Sequence, residues 1–294
     1  QAFENMKPAA IYAKNGVTRF QVNRRNNSES QIDTLTDLKG PNEYAVPVLK
    51  VTTETDGILA IVFGYACHPT VLSHYLFSGD YPGFAQILLE EMYPEATALF
   101  FQGAGADQNP LPRRSVALAE QYGKTLAIAV DRVLKEDMPK LLPELQVEYN
   151  EIDLPLSDPL SEEELKNMVE TKSGYQQNWA KRMLVQEKYI SSYPYPVQVW
   201  NLGGLPFVAL GGEVPIEYAI ETKKLLGNEA FILGYSNDVM AYIPSATILK
   251  EGGYEGADSQ MVFGMPALWK EGIDSLIYNE IIHLAKKTGL NIRK

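Results

Sequence analysis

The sequence has almost no cysteine to form disulfides and no apolar run long enough to span a membrane. Its 294 residues include one cysteine, Cys67, which excludes an intrachain disulfide and a zinc cluster built from cysteines. No apolar run reaches the roughly 20 residues of a membrane helix, and the longest candidate, Ile58–Ala66, contains a glycine. The remaining composition, 45% hydrophobic and 21% charged, is that of an ordinary globular protein.

Basic residues are also scarce, with 26 against 37 acidic residues and a formal net charge of -11. This charge repels nucleic-acid phosphate and gives no general attraction to anionic lipid, so we expect no nucleic-acid partner. The length allows one large domain to bury about three quarters of the surface that the unfolded chain exposes. Because no composition shift or internal repeat marks a boundary, we predict a single domain over residues 1–294.

Apolar and polar segments follow one another in the order that is typical of an α/β fold. Ile58–Ala66 is almost wholly apolar, which indicates a strand covered on both faces. A loop, a helix and a short strand at 98–102 come next, and the series of strand, glycine turn and helix then recurs. We therefore predict a layered mixed β-sheet core flanked by helices, with a helical excursion at about 161–192.

Two polar residues directly follow apolar strands. His68 ends the covered strand, and Glu213 stands between a strand at 207–210 and a helix that begins near Pro215. Ligands of α/β folds bind at the carboxyl ends of strands, so both side chains are candidates for one site. Two structural alternatives stay open: a histidine that closes a strand with one hydrogen bond, and a glutamate stabilised by the helix macrodipole.

A glycine turn and two tyrosines complete the candidates. Gln102–Pro110 contains Gly103 and Gly105 after a strand, which suits backbone N–H groups that approach a substrate oxygen. A structural tight turn explains the pattern equally well, and the turn lacks the lysine and hydroxyl pair of a phosphate-binding loop. Tyr242 and Tyr254 flank a later loop. Either phenol can bind a metal or polarise a carbonyl, and packing is the alternative role.

Five segments of the chain share their order with one known family. They are Asn23–Arg25, Cys67–Thr70 with Ser78–Gly83, Gln102–Pro110, Gly212–Glu213 and Asn237–Gly256. Together they resemble the neutral ceramidases and the bacterial ceramidase-like hydrolases. The last segment is the most specific. Its asparagine, two tyrosines and glutamate have the family's spacing: Asn237, Tyr242, Tyr254 and Glu255.

The resemblance implies a zinc-dependent hydrolase of linear amide bonds with a ceramidase-like catalytic domain. The reaction would convert N-acylsphingosine or another N-acyl amide into a fatty acid and an amine. The implied substrate is a small amphiphile, the cofactor is Zn2+, and the location is periplasmic or secreted. In such an enzyme the metal polarises the carbonyl and lowers the pKa of water.

The resemblance also assigns roles to individual residues. The metal ligands are His68, Glu213 and Tyr242. The catalytic residues are Tyr254, Asp107 and Gly105, with Tyr254 facing the scissile amide. The substrate-binding residues are Gln102, Gly103, Asn109 and Asp80.

The chain departs from the family pattern at two places. The family's first zinc-binding histidine lies upstream of the Asn-Arg-Arg segment, yet no histidine precedes His68. We therefore expect the chain, which begins at Gln1, to be a fragment or processed product that covers the later part of the catalytic domain and needs the upstream part. The glycine turn also reads Asp107-Gln108-Asn109-Pro110 where ceramidases carry a serine.

These departures leave two further hypotheses. One is a non-catalytic binding protein on a degenerate ceramidase fold, which would bind zinc poorly. The other is an amidase or peptidase that shares the metal but prefers polar amides.

Overall fold

The computed structural model describes residues 3–53 and 57–293. Ten β-strands lie in these residues: β1 (Ala10–Val17), β2 (Gln21–Asn23), β3 (Ala45–Thr52), β4 (Ile58–Tyr65), β5 (Thr97–Gln102), β6 (Gln108–Pro110), β7 (Leu145–Pro155), β8 (Ser192–Leu202), β9 (Leu205–Leu210) and β10 (Phe231–Leu233).

The same residues contain eight α-helices and three shorter helical turns. The helices are α1 (Asp80–Met92), α2 (Val116–Lys135), α3 (Glu162–Thr171), α4 (Gly174–Val185), α5 (Ile216–Leu226), α6 (Ala246–Glu251), α7 (Ser259–Phe263) and α8 (Ile273–Lys287). The turns are two 3-10 helices at Phe3–Asn5 and Glu29–Thr34 and a π-helix at Tyr254–Asp258. None of these helices is both long and apolar enough to cross a membrane.

Two four-stranded sheets have the same topology. Their strand orders are β1-β3-β4-β5 and β7-β8-β9-β10. In each sheet the first three strands are antiparallel neighbours and the last pair is parallel. Parallel neighbours need a long crossover, which α1 supplies between β4 and β5 and α5 between β9 and β10. The topology is thus duplicated, although the sequence shows no repeat.

Helices cover the outer faces of both sheets. α1 and α2 pack on the first sheet through a core that includes Phe63 and Leu126, and α5 and α8 pack on the second through Val208 and Ile277. The inner faces meet in a smaller apolar cluster contributed by β1, β3, β9 and β10. The layers therefore run helix, sheet, sheet, helix, and the mixed α/β class predicted from the sequence is confirmed.

The two sheets also touch at one edge. An isolated bridge pairs Gly103, just after β5, with Leu233 at the end of β10, and the N–H of Gly234 donates to the carbonyl of Gln102 at 3.2 Å. The carboxyl ends of the parallel pairs consequently lie side by side. This edge carries the polar residues described below.

A helical hairpin occupies most of residues 161–192. α3 begins after Ser161, whose hydroxyl accepts a hydrogen bond from the N–H of Glu164 in a capping box. α3 and α4 then bury Leu165, Trp179 and Met183 in a cluster of their own. The hairpin therefore has a separate small core beside the sheets.

The sequence did not predict β1 and β7. Both are edge strands of their sheets, and neither shows the covered, apolar pattern of a central strand. β7 in particular alternates apolar with acidic or amide side chains and is largely exposed. Polar edge strands of this kind protect a sheet against pairing with other chains.

Candidate active site

The ends of two topologically equivalent strands position His68 and Glu213. His68 lies three residues after β4 ends at Tyr65, and Glu213 lies three residues after β9 ends at Leu210. The N–H of His68 donates to the carbonyl of Gln108 at 3.0 Å. The duplicated topology thus brings one imidazole and one carboxylate to a common edge.

A short backbone pairing brings Tyr242 beside Glu213. The N–H of Glu213 donates to the carbonyl of Ala241 at 2.9 Å, and the N–H of Ile243 donates to the carbonyl of Glu213 at 3.0 Å. This parallel bridge requires glycine at 212, where φ is +66° and a Cβ would lie 2.7 Å from the carbonyl oxygen of Ala241.

The three side chains predicted as metal ligands come together in the fold. Nε2 of His68 lies 3.1 Å from the hydroxyl of Tyr242 and 3.5 Å from Oε2 of Glu213. His68 and Tyr242 are buried, at 6% and 5% exposure, and the Glu213 side chain is 14% exposed. The cluster is therefore largely withdrawn from water.

Tyr235, which the sequence analysis missed, fixes the orientation of two of these groups. Its hydroxyl donates to Oε2 of Glu213 at 3.0 Å and lies 3.0 Å from Nδ1 of His68. The neutral tautomer with its proton on Nδ1 satisfies the second contact, with Nδ1 as the donor. In that tautomer Nε2 carries a lone pair, which is the form of the imidazole that can bind a metal.

Burial sets the charge states of this pair. It lowers the pKa of His68 to about 3, with help from the positive charges of Arg24 and Arg113. The imidazole is therefore neutral at pH 7, which is the form that binds metals. Burial also raises the pKa of Glu213, against hydrogen bonds from Tyr242 and Tyr235 that favour the carboxylate.

Arg24 introduces a positive charge next to Tyr242. Its Nη2 donates to the hydroxyl of Tyr242 at 3.1 Å, and its Nε donates to Oε1 of Glu255 at 2.7 Å. Arg25 holds the second oxygen of the same carboxylate at 2.7 Å. Although burial opposes the shift, the two guanidinium groups lower the pKa of Glu255. Arg24 is thereby braced in one orientation against the phenol.

Tyr254 stands at the mouth of the cluster. Its ring centroid lies 5.4 Å from that of Tyr242, and it is 42% exposed. The residue opens the π-helical turn, a local irregularity that is frequent at functional sites. A substrate that approaches from solvent can therefore meet the Tyr254 hydroxyl before it reaches the buried ligands.

The glycine turn supports the strand end that carries His68. A Cβ at Gly105 would overlap with the carbonyl group of Ala66, so only glycine allows this close approach. Gly103 donates its N–H to the carbonyl of Tyr65 at 3.1 Å, and the amide of Gln102 donates to the carbonyl of Cys67 at 3.0 Å. The substrate and oxyanion roles assigned to these residues stay predictions.

Asp107 has both carboxylate oxygens engaged within the protein. Oδ1 accepts from the N–H of Ile216 at 2.9 Å, and Oδ2 accepts from the amide of Asn23 at 2.8 Å. Burial raises the pKa of Asp107 to about 6. Its observed contacts anchor the start of α5 to β2, and its catalytic role stays a prediction. The next candidate in the turn, Asn109, places its Oδ1 3.5 Å from Nη1 of Arg24.

Asp80 also uses its carboxylate to hold backbone. Its oxygens accept hydrogen bonds from the N–H groups of Val71, Leu72 and Tyr81, at 3.3, 2.8 and 2.8 Å. The residue is 5% exposed and closes the loop between β4 and α1. Its substrate-binding role is untested by these contacts.

The donor set of His68, Glu213 and Tyr242 fits a zinc ion. Tetrahedral zinc with ligands at about 2.0–2.1 Å separates its donor atoms by about 3.3 Å, close to the observed 3.1 and 3.5 Å. A zinc ion bound among them would accept one lone pair from each of the three donor atoms. Among the described residues no three His, Cys, Asp or Glu side chains form a metal cluster, so the set is complete only with tyrosine.

Two members of the cluster could have been found by signals already in the sequence. Tyr235 comes two residues after the end of β10, the same kind of strand-end position that singled out His68 and Glu213. Arg24 lay inside a segment that was recognised but not assigned a role. Its contact with Tyr242 spans 218 residues, which no local pattern encodes.

Comparisons with known proteins support the fold. No protein-family model and no curated protein sequence matches the chain. Among solved structures, the chain matches a ceramidase complexed with C2 at 13% identity and a TM-score of 0.71, covering 100% of this chain and 56% of that one. It matches the neutral ceramidase from Pseudomonas aeruginosa at 15% identity and a TM-score of 0.72, covering 100% of this chain and 54% of that one. The chain thus has a neutral-ceramidase fold over about half the length of these structures.

Proposed function

We propose that this chain carries part of the active site of a zinc-dependent, ceramidase-like hydrolase that cleaves linear N-acyl amides to a fatty acid and an amine. The convergence of His68, Glu213 and Tyr242 at zinc-ligand spacing carries the proposal. The similarity of the fold to neutral ceramidases supports the proposal by analogy.

Zinc bound to these residues would supply Lewis-acid chemistry at a carbonyl oxygen and acidify water. The protein's own residues prepare the site for that role. A hydrogen bond from Nδ1 of His68 to the hydroxyl of Tyr235 would leave Nε2 to bind the metal. Burial raises the pKa of the Tyr242 phenol, whereas the positive charge of Arg24 beside its oxygen opposes the rise and favours an oxyanion there.

Tyr254 is the group best placed to act on the substrate. It is partly exposed, and its ring packs edge-on against Tyr242. The guanidinium carbon of Arg24 lies over this ring, 5.8 Å from the Tyr254 ring centroid. A phenol in this position can donate a hydrogen bond to a carbonyl oxygen on which negative charge develops. We assign it the role of stabilising that oxygen.

A largely apolar cavity that reaches Ala257 of the π-helical turn favours an amphiphile over a polar amide. A cavity of about 190 Å³ lies between α4 and the segment that follows the π-helical turn, and its lining includes Trp179, Met261, Met265 and Leu268. Such a lining suits a hydrocarbon chain, and methionine adapts to chains of different shape. We propose that the hydrocarbon part of the N-acyl amide binds here.

Zinc stoichiometry tests the metal site. We expect elemental analysis and calorimetric titration to give one zinc per chain, and His68→Ala to abolish or strongly weaken binding. The matched control is His283→Ala, since His283 is exposed on α8 and should leave zinc binding unchanged. Equal zinc binding by His68→Ala and the unaltered chain would refute the ligand assignment.

Hydrolysis assays test the reaction separately. Assayed together with the upstream part of the catalytic domain, the zinc-loaded protein should release fatty acid from long-chain N-acyl amides faster than from N-acetyl or peptide amides of the same amine. Tyr254→Phe should lower kcat by roughly ten- to a hundredfold while zinc stays bound, because it removes one oxyanion donor. A preference for polar amides would contradict the substrate class but not the metal site.

A further inference from the structure

An unusual run of exposed apolar residues projects from the edge that carries His68. Tyr75, Leu76 and Phe77 form the tip of the loop between β4 and α1. The two aromatic side chains are fully exposed, and Leu76 is 75% exposed. Single exposed apolar residues are common on protein surfaces, whereas contiguous ones mark interaction sites.

Hydrogen bonds close the base of this loop, and residues 73–79 beyond it are exposed. Asp80 accepts hydrogen bonds from the N–H groups of Val71 and Leu72 and so joins the two ends of the loop. Thr70, just before the loop, is fixed by Arg113, whose Nη1 donates to its hydroxyl at 3.1 Å. The closed base holds residues 73–79 as a projection.

The projection also lacks charge. Residues 73–79 read Ser-His-Tyr-Leu-Phe-Ser-Gly and contain no Asp, Glu, Lys or Arg, in a chain that has 63 such residues, 26 basic and 37 acidic. Burial of the tip therefore desolvates no permanent charge. Tyrosine and phenylalanine are also the kind of side chain that settles at the boundary between water and lipid.

We propose that Tyr75, Leu76 and Phe77 insert into the interfacial region of a zwitterionic lipid surface. A fluid apolar layer accepts a convex tip without a matching pocket. The three side chains offer roughly 500 Å² in total, if each buries about 150–200 Å², which is below the about 800 Å² per partner of a stable protein interface. The net charge of -11 disfavours anionic lipid, so insertion is apolar in origin.

Vesicle co-sedimentation tests this proposal without reference to zinc or catalysis. We expect the chain to bind phosphatidylcholine vesicles, and the triple variant Tyr75→Ser, Leu76→Ser, Phe77→Ser to bind at least about tenfold more weakly. The matched control is Leu145→Ser, Val147→Ser, Tyr149→Ser, three half-exposed residues on the edge strand β7, which should change binding less than twofold.

Two further measurements fix the mode of contact. In Phe77→Trp, brominated lipid should quench fluorescence more than in the unaltered chain, because the new indole enters the bilayer. Binding should persist in 1 M salt, where electrostatic attraction is screened. The proposal would be overturned if the triple variant bound vesicles as well as the unaltered chain does, or if 1 M salt abolished binding. Self-association that depends on the loop and needs no vesicles would also overturn it, whatever the result for zinc.

Discussion

The two halves of this molecule share a topology but use their acidic residues differently. In the first half, Asp80 and Asp107 are buried and accept mainly from backbone N–H groups. In the second half, Glu213 stands at the strand end equivalent to that of His68, and its carboxylate faces side chains. Strand-end position brings a residue to the site, but only a carboxylate whose lone pairs are not taken up by backbone is free for chemistry.

The largest effect should come from removing a backbone-bound carboxylate. Asp107→Ala leaves the N–H of Ile216 and the amide of Asn23 without an acceptor in a buried region, so we expect the free energy of unfolding to fall by about 3 kcal/mol. Glu213→Gln should change it by less than about 1 kcal/mol, since burial disfavours that carboxylate. Denaturant titrations of both variants measure the contrast, and equal losses would remove the distinction between the halves.

The pH dependence of stability should show the same contrast. Burial raises the pKa of Asp107 from 3.8 to about 6, so the folded protein keeps a proton that the unfolded chain releases earlier. The stabilising contribution is complete below pH 3.8 and is lost as pH rises through about 6. Relative to Asp107→Asn, the free energy of unfolding of the unaltered chain should fall by about 2 kcal/mol between pH 4 and 6.5. A pH-independent difference between the two unfolding curves would contradict this.

A smaller effect is expected when the hydroxyl that supports the ligands is removed. Tyr235→Phe deletes the contacts to His68 and Glu213, and we expect zinc affinity to fall by about tenfold with little change in folding. Tyr193→Phe is the matched control, because its hydroxyl bonds to Asp238 at an exposed position. Calorimetric zinc titration checks this, and an equal loss in both variants would argue against a role for Tyr235 in ligand support.

The smallest effect is expected at Asp80, where one substitution distinguishes substrate binding from closure of the loop between β4 and α1. Asn tolerates the residue's φ of +49° and keeps one acceptor oxygen, so Asp80→Asn should cost about 1 kcal/mol of stability. Thermal unfolding measures this loss. If stability is unchanged while N-acyl amide binding is lost, the carboxylate serves substrate rather than the loop.

Much of the secondary structure could be predicted from the sequence because it depends on local patterns. The covered strand β4 and the helical excursion at about 161–192 follow from an apolar run and a helical pattern. The sequence also singled out His68, Glu213 and Tyr242, which lie together in the fold, since strand ends and a spaced motif marked them. It could not show that Asp107 turns toward Ile216, because the direction of a side chain depends on packing between distant segments.

The duplicated topology was equally hidden. Pairing of β9 with β10, and of β4 with β5, depends on crossovers whose helices share no sequence pattern. The edge strands β1 and β7 lack the apolar signal because most of their side chains are exposed or only partly buried. Tyr235 was missed because one tyrosine among 17 carries little information until its neighbours are known.

The spacing of the cluster along the chain has a consequence for how the protein folds. His68 and Tyr242 are 174 residues apart, and Arg24 and Tyr242 are 218 apart. Contacts of such high order form late, after the cost of closing long loops has been met. A ligand that needs all of them binds only the finished fold, and at a hundred times its Kd it would stabilise that fold by about 2.7 kcal/mol. Occupancy of this cluster would thus report on completion of the whole tertiary structure.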